Sequence, residues 1–247
     1  MAIKIKLNYS PSFNTKKRTF KQIKFIIFHY TGMKKESCAI NRLTDIQSEV
    51  SCHYLIKNNG EIVKLVPDLY IAWHAGKSSW KSFKSLNKNS IGIEITNPGH
   101  EFGYKKFSQK QISSLLGLSK FLIKKYKISH KNILGHSDIT PERKKDPGEK
   151  FPWKYLYQKK IGLWHTVKKQ ELIKNRKLKT SKIDKEFFFN NLFKIGYSKE
   201  ISKNLKRDRY LKYVTKAFQR RFRQELVDGK IDRECLLISE NIIKKYN

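Results

Sequence analysis

Two histidines and one carboxylate stand at the ends of short apolar runs or at a rigid turn, where side chains can be held in fixed positions. His29 follows Ile26-Ile27-Phe28, His136 follows Ile133-Leu134-Gly135, and Asp146 leads into Pro147-Gly148. Two imidazoles and a carboxylate suit a three-ligand zinc site whose fourth position stays open for water, as hydrolytic zinc requires. Spacing alone leaves a second reading open, because single histidines are commonly core or surface residues. Glu94 interrupts an otherwise apolar run, Ile91-Gly92-Ile93-Glu94-Ile95. Such a carboxylate either faces water at a sheet edge or sits in a cleft, where desolvation lifts its pKa toward that of a useful general base. Lys144, two residues before Asp146, is placed to stabilise a developing oxyanion. In so basic a chain, a lysine there by chance is an equal alternative.

These residues need a frame. Residues 23–28 read as a short buried strand, and 91–96 as another. Residues 53–57 and 61–66 read as a hairpin whose Asn59-Gly60 supplies the positive-φ turn. Ser108 caps a helix running to about residue 127, with Ile112, Leu115, Leu118 and Leu122 at helical spacing. Residues 133–135 form a last short strand. Strands with intervening helices give an α/β domain. Residues 1–22 read as a basic arm, and 165–183 as a Lys-rich connector able to hold a helix. From Asp184 onward three apolar stripes, broken at Gly196 and Asp228-Gly229, predict a small three-helix module.

At roughly 100–200 residues per domain, 247 residues make one large or two modest domains. With 15 Phe, 12 Tyr and 4 Trp, the chain can bury a core and is not wholly disordered. No run approaches the ~18 apolar residues of a membrane span. The 54 Lys+Arg against 21 Asp+Glu give +33, the footprint of a polyanion binder. Nucleic acid, an acidic envelope polymer and an anionic membrane surface all qualify, as does compositional drift in a chain rich in Lys, Ile and Asn. Cys38, Cys52 and Cys235 have no metal or redox spacing and are too few for a disulfide framework. The first residues lack the apolar core of a secretory signal.

Six blocks carry a family resemblance, in the family's order: Phe28-His29-Tyr30-Thr31-Gly32, Val50-Ser51-Cys52-His53-Tyr54, Ala72-Trp73-His74-Ala75-Gly76, Asn89-Ser90-Ile91-Gly92-Ile93-Glu94, Gly135-His136-Ser137-Asp138-Ile139, and Arg143-Lys144-Lys145-Asp146-Pro147-Gly148. Together they resemble the type-2 zinc-dependent N-acetylmuramoyl-L-alanine amidases, related to peptidoglycan-recognition proteins and phage T7 lysozyme. Val214 to Phe222 followed by Asp228-Gly229 looks like a three-helix peptidoglycan-binding module, a pairing similar to the AmiD-like branch. The family's glycines and threonine after that turn are replaced by Ile231-Asp232-Arg233-Glu234, which puts ligand binding by the module in question.

The resemblance implies a mixed central β-sheet flanked by helices, with a small C-terminal three-helix module. It divides the chain into a catalytic domain (1–164), a connector (165–183) and a peptidoglycan-binding-like domain (184–247). It implies one Zn2+ per chain on His29, His136 and Asp146, with Glu94 as general base and Lys144 on the oxyanion. The bond cut is the amide between N-acetylmuramic acid, or its 1,6-anhydro form, and L-alanine of the stem peptide, in wall turnover, recycling or remodelling. Tyr30, His53, Trp73, His74, Asn97 and Arg143 are candidate substrate contacts. Arg143 suits a stem-peptide carboxylate, and Asp138 a supporting or turn-stabilising role. The alternative is a non-catalytic peptidoglycan-recognition protein, as some relatives of this fold lack a zinc ligand. The expected partner is bacterial peptidoglycan or a muropeptide, with possible electrostatic contact to an anionic envelope surface, no nucleic acid, and a monomeric state. The missing signal points to the cytoplasm and the module to the envelope, so the compartment stays open.

Overall fold

The computed structural model describes residues 3–201 and 205–246. The outermost residues of the expected domain ranges, 1–2 and 247, and positions 202–204 in the helical region lie outside it. In chain order the main sheet takes β1 (Ile5–Leu7), β2 (Phe25–Tyr30), β3 (Tyr54–Ile56), β4 (Ile62–Lys64), β5 (Ser90–Ile95) and β6 (Ile133–Gly135). The helices are α1 (Glu36–Thr44), α2 (Gln109–Tyr126), α3 (His136–Ile139), α4 (Trp153–Gln158), α5 (Lys169–Asn175), α6 (Lys182–Ile195), α7 (Arg207–Phe222) and α8 (Arg233–Tyr246).

Across the sheet the order is β1-β4-β3-β5-β2-β6, and only the β3–β4 hairpin is antiparallel. β2 and β5 sit in the middle, covered on both faces, which explains their nearly continuous apolar runs. The α2 helix begins as expected. Ser108 Oγ accepts from the Gln111 amide at 3.2 Å, and Gln111 Oε1 accepts from the Ser108 amide at 2.9 Å, a reciprocal cap. Its Leu115, Leu118 and Leu122 are fully buried on the face of the sheet that carries Tyr54, Ile91, Ile93 and Ile95.

Three expectations change. Residues 1–22 are not only an arm, because Ile5–Leu7 joins β4 as a parallel edge strand. Its Lys6, exposed on that edge, works against further pairing. The strand expected to stop at Phe28 runs to Tyr30, since pairing with β5 continues through His29↔Glu94 and Tyr30↔Ile95. The α1 helix was not foreseen. It has no side-chain N-cap and buries only Ala39 and Leu43, of which Leu43 joins a small cluster with Cys52, Leu55, Val63 and Leu65.

The C-terminal helices form where the apolar stripes placed them, and Ser181 and Asp184 cap α6 reciprocally. α5 lies within 165–183 and contributes its Leu172 to the packing there. One continuous apolar cluster runs from the sheet through Trp80 and Trp153 into Phe188, Phe218 and Ile238 of those helices.

Candidate active site

Strand periodicity assembles one face of the site. Ser90, Gly92 and Glu94 alternate on β5 and pair in register with Phe25, Ile27 and His29 on β2, so all six point to the same side. His29 and Glu94 are thus direct neighbours across the two central strands. His136 opens α3 immediately after β6, which pairs with β2 from the other side. Asp146 reaches the same point from the following loop, whose backbone is tied back by Ser137 N–H donating to the Asp146 carbonyl at 2.8 Å.

His29 Nδ1, His136 Nδ1 and Asp146 Oδ2 converge pairwise at 3.0 Å. All three residues are buried. Hydrogen bookkeeping shows what this convergence wants. Ser90 Oγ donates to the Leu86 carbonyl at 2.6 Å, so it accepts from His74 Nε2–H at 3.2 Å. His74 Nδ1 is then an acceptor, and His29 Nε2–H donates to it at 3.0 Å. His136 Nε2–H donates to the Ala75 carbonyl at 3.3 Å. Each neutral ring therefore spends its proton on the outer side. Two Nδ1 lone pairs and a carboxylate oxygen face one another with no proton between them. That is repulsive without a cation, and the donor set is the one zinc takes.

The electrostatics agree. Burial, reinforced by His136, lowers the His29 pKa to about 4, so the ring is neutral and ready to ligate at neutral pH. Glu94 goes the other way. Burial first, then the Asp146 charge, raises it to about 8, with Lys144 opposing. Its Oε2 has no hydrogen-bond partner. The unforeseen α1 helix helps cause this, since the Leu43–Cys52–Leu55 cluster lies on the same side of the sheet and Leu55 is Glu94's register neighbour on β3.

His136 and Asp146 open into a pocket of about 570 Å³, within the ordinary range for ligand sites, and His29 lies buried behind them. Glu94, Lys144, Tyr30, Trp73, His74 and Arg143 all line it. His74 does so as a support, its ring packed against Gly92 so closely that a Cβ there would overlap it. Arg143 is exposed and donates to the Lys77 carbonyl at 2.5 Å. Two candidates fall outside the lining. His53 is fully buried beneath, its Nδ1 accepting from the Gly92 amide at 3.0 Å, with Arg18 at 2.8 Å from its Nε2. Burial and then Arg18 lower its pKa to about 3, so it is a neutral structural ring. Asn97 is also buried and braces the next loop by donating to the Lys105 carbonyl at 2.8 Å.

Sequence reasoning missed a third wall. Glu149 accepts from His100 Nε2–H at 3.0 Å, and His100 Nδ1 accepts from the Tyr30 hydroxyl at 2.8 Å. The His100 ring stacks on Tyr104 with centroids 4.4 Å apart. The available signal was positional: His100 follows the Pro98-Gly99 turn beyond Glu94, and Glu149 follows Pro147-Gly148 beyond Asp146. Arg42 of α1, which also lines the pocket, was missed together with its helix.

Comparison with known proteins places this geometry. The family model described as N-acetylmuramoyl-L-alanine amidase matches residues 19–149. The chain is 35% identical over 239 residues to N-acetylmuramoyl-L-alanine amidase AmiD of Escherichia coli (strain K12), covering 92% of this chain and 84% of that one. It superposes on the structure of the E. coli AmiD complex with anhydro-N-acetylmuramic acid-L-Ala-D-gamma-Glu-L-Lys at a TM-score of 0.78 and 34% identity, over 94% of this chain and 93% of that one. AmpDh3 from Pseudomonas aeruginosa in complex with anhydromuramic pentapeptide gives a TM-score of 0.78 at 31% identity, over 96% and 97%.

Proposed function

The chain belongs to the N-acetylmuramoyl-L-alanine amidase family, and from that footing we propose that its pocket hydrolyses the amide joining N-acetylmuramic acid, or its 1,6-anhydro form, to L-alanine of the stem peptide. The observation that carries this reading is the convergence of His29, His136 and Asp146 beside an unpartnered Glu94. AmiD and AmpDh3 were both solved with anhydromuropeptides, which supports a muropeptide as the substrate here.

The family is generally zinc-dependent, and His29 Nδ1, His136 Nδ1 and Asp146 Oδ2 are the atoms that would hold one Zn2+ per chain. When bound, zinc lowers the pKa of water toward about 7 and polarises a carbonyl. The remaining tasks fall to side chains. Glu94 takes a proton from the attacking water and returns it to the leaving L-alanine amine, which an amide needs because its amine leaves poorly unprotonated. Lys144 neutralises charge growing on the carbonyl oxygen. Arg143 and Arg42 on the rim attract stem-peptide carboxylates. Tyr30, oriented by His100 and Glu149, forms a rigid polar wall. Residues 184–247 are read as a peptidoglycan-binding-like module joined to this catalytic part.

The test is a mass-spectrometric digest of anhydro-muramyl tripeptide and of intact sacculus, with zinc-loaded and chelator-stripped protein. Free tripeptide released only by the loaded protein supports the reading. One equivalent of bound zinc with no release from either substrate rejects it in favour of recognition without catalysis.

A further inference from the structure

The C-terminal helices do more than adjoin the catalytic part, because they close around Asp138, two residues beyond His136. Asp138 Oδ2 accepts from the Gly135 amide at 2.8 Å and from Arg221 Nη1 of α7 at 2.6 Å. Its Oδ1 accepts from the hydroxyl of Tyr197, just past α6, at 2.8 Å. Arg221 Nη2 donates to the Ile133 carbonyl of β6 at 2.8 Å, and its guanidinium lies 4.5 Å from the Trp153 ring centroid. Asp138, Arg221 and Tyr197 are 1%, 2% and 2% exposed, so the clasp is dry.

Every bond in it lands on the backbone or side chains that carry the candidate ligands. Ile133 and Gly135 are the strand that delivers His136, and Asp138 lies in the same turn as His136. The neighbouring Ser137 amide holds the Asp146 carbonyl. Gly135 is so tight against Pro147 that a Cβ there would clash, which locks the strand end to the loop of Asp146. A second tie comes from Gln224, whose Nε2 donates to the Phe151 carbonyl at 2.6 Å. On the far side, the Lys81 amide donates to the Gly196 carbonyl at 2.7 Å, and Trp80 packs against Tyr197.

We infer that Arg221 and Tyr197 of the C-terminal helices are positioning residues for the metal site, setting His136 and Asp146 through the shared carboxylate of Asp138. The inference rests on the assignment of His29, His136 and Asp146 as metal ligands. A buried carboxylate that loses its ion-pair partner is left uncompensated and must rearrange. Here the turn that would rearrange is the one holding His136. Supporting residues of this kind govern metal affinity as well as stability.

The experiment measures zinc affinity of the full chain by competition with a chromophoric chelator, alongside thermal unfolding of the metal-free protein. Arg221→Met and Tyr197→Phe are compared with Ile242→Ala, which loosens the core of the same helices without touching the clasp. Arg221→Met is expected to weaken zinc binding by about 10–100-fold, and Tyr197→Phe less, while Ile242→Ala lowers the melting temperature and leaves affinity near wild type. Tyr197→Phe removes one hydroxyl and no core volume, so it reports even if Arg221→Met fails to fold. Wild-type affinity in the folded clasp variants overturns the inference and leaves the ligand assignment standing. A wild-type chain that binds no zinc, or binds it equally well after His136→Ala, overturns both.

Discussion

Asp68 and Glu94 are both carboxylates withdrawn from water in the catalytic part of the chain, and their surroundings are opposite. Asp68 accepts from the hydroxyls of Tyr54 and Tyr126, each at 2.6 Å, and pairs with Lys125 at 2.9 Å and Lys64 at 3.0 Å. Burial would raise its pKa, but the two tyrosines and Lys125 outweigh burial and hold it well below the usual range. Glu94 has an apolar cluster on one side, the Asp146 charge on the other, and an oxygen with no partner. A carboxylate whose bonds are complete fixes structure. One left incomplete in a pocket is free to exchange a proton with a substrate.

The sharpest way to break this comparison is to neutralise each group in turn. Glu94→Gln is expected to lower kcat by about 10²–10⁴-fold, the ordinary worth of a general acid–base group, with an unchanged or raised melting temperature. Asp68→Asn is expected to do the reverse. It should cost about 1–3 kcal/mol of stability, because buried tyrosine donors lose an ionised acceptor, while the folded fraction keeps its kcat. Activity assays and thermal melts on both variants settle it. An active Glu94→Gln enzyme removes Glu94 as the base.

The next largest effect concerns His74, which belongs to neither class. It is not a candidate ligand itself, yet its Nδ1 accepts a hydrogen bond from His29 Nε2–H and thereby leaves His29 Nδ1 free. His74→Leu is expected to weaken zinc binding by about 10–100-fold. His74→Asn should lose less, because its amide oxygen can still accept that proton. Equal affinities for the two variants would mean that the strand alone orients His29. The readout is chelator competition, with kcat at saturating zinc separating lost metal from misplaced metal.

What the sequence showed of all this follows the range of the interactions. Local signals were legible: the Ser108–Gln111 cap, the Asn59-Gly60 hairpin, the 133–135 strand and the three C-terminal stripes all rest on neighbours a few residues apart. The blocks around His29, Glu94, His136 and Asp146 were legible as motifs, but their meeting point depends on the β6-β2-β5 order, which no local pattern encodes. The α1 helix stayed hidden because two buried residues without a cap give little periodic signal. The Asp138–Arg221 and Tyr30–His100–Glu149 contacts span 83, 70 and 49 positions, and in a chain of 54 lysines and arginines nothing marked Arg221 as a residue that would be buried on a carboxylate so far away in sequence.

The smallest expected effect is the pH dependence of stability in the metal-free protein, and it separates Glu94 from Asp68 by sign. Glu94 ionises near 4.5 when unfolded and near 8 when folded, so its contribution is complete below 4.5 and is lost as pH rises through 8. Asp68 is lowered on folding, so its contribution is present above about 3.8 and is lost only as pH falls below that. The buried histidines His29 and His53, lowered to about 4 and about 3, act only as pH falls below 6.5. Between pH 6.5 and 8 Glu94 is therefore the one of these groups that tilts the curve. Chelator-stripped wild type should lose stability across that window in denaturant titrations. Glu94→Gln should flatten the loss, and Asp68→Asn should leave its slope intact at a lower level. A flat wild-type curve over this interval would mean that Glu94 is already ionised in the folded state, and that the pocket solvates the carboxylate as well as water does.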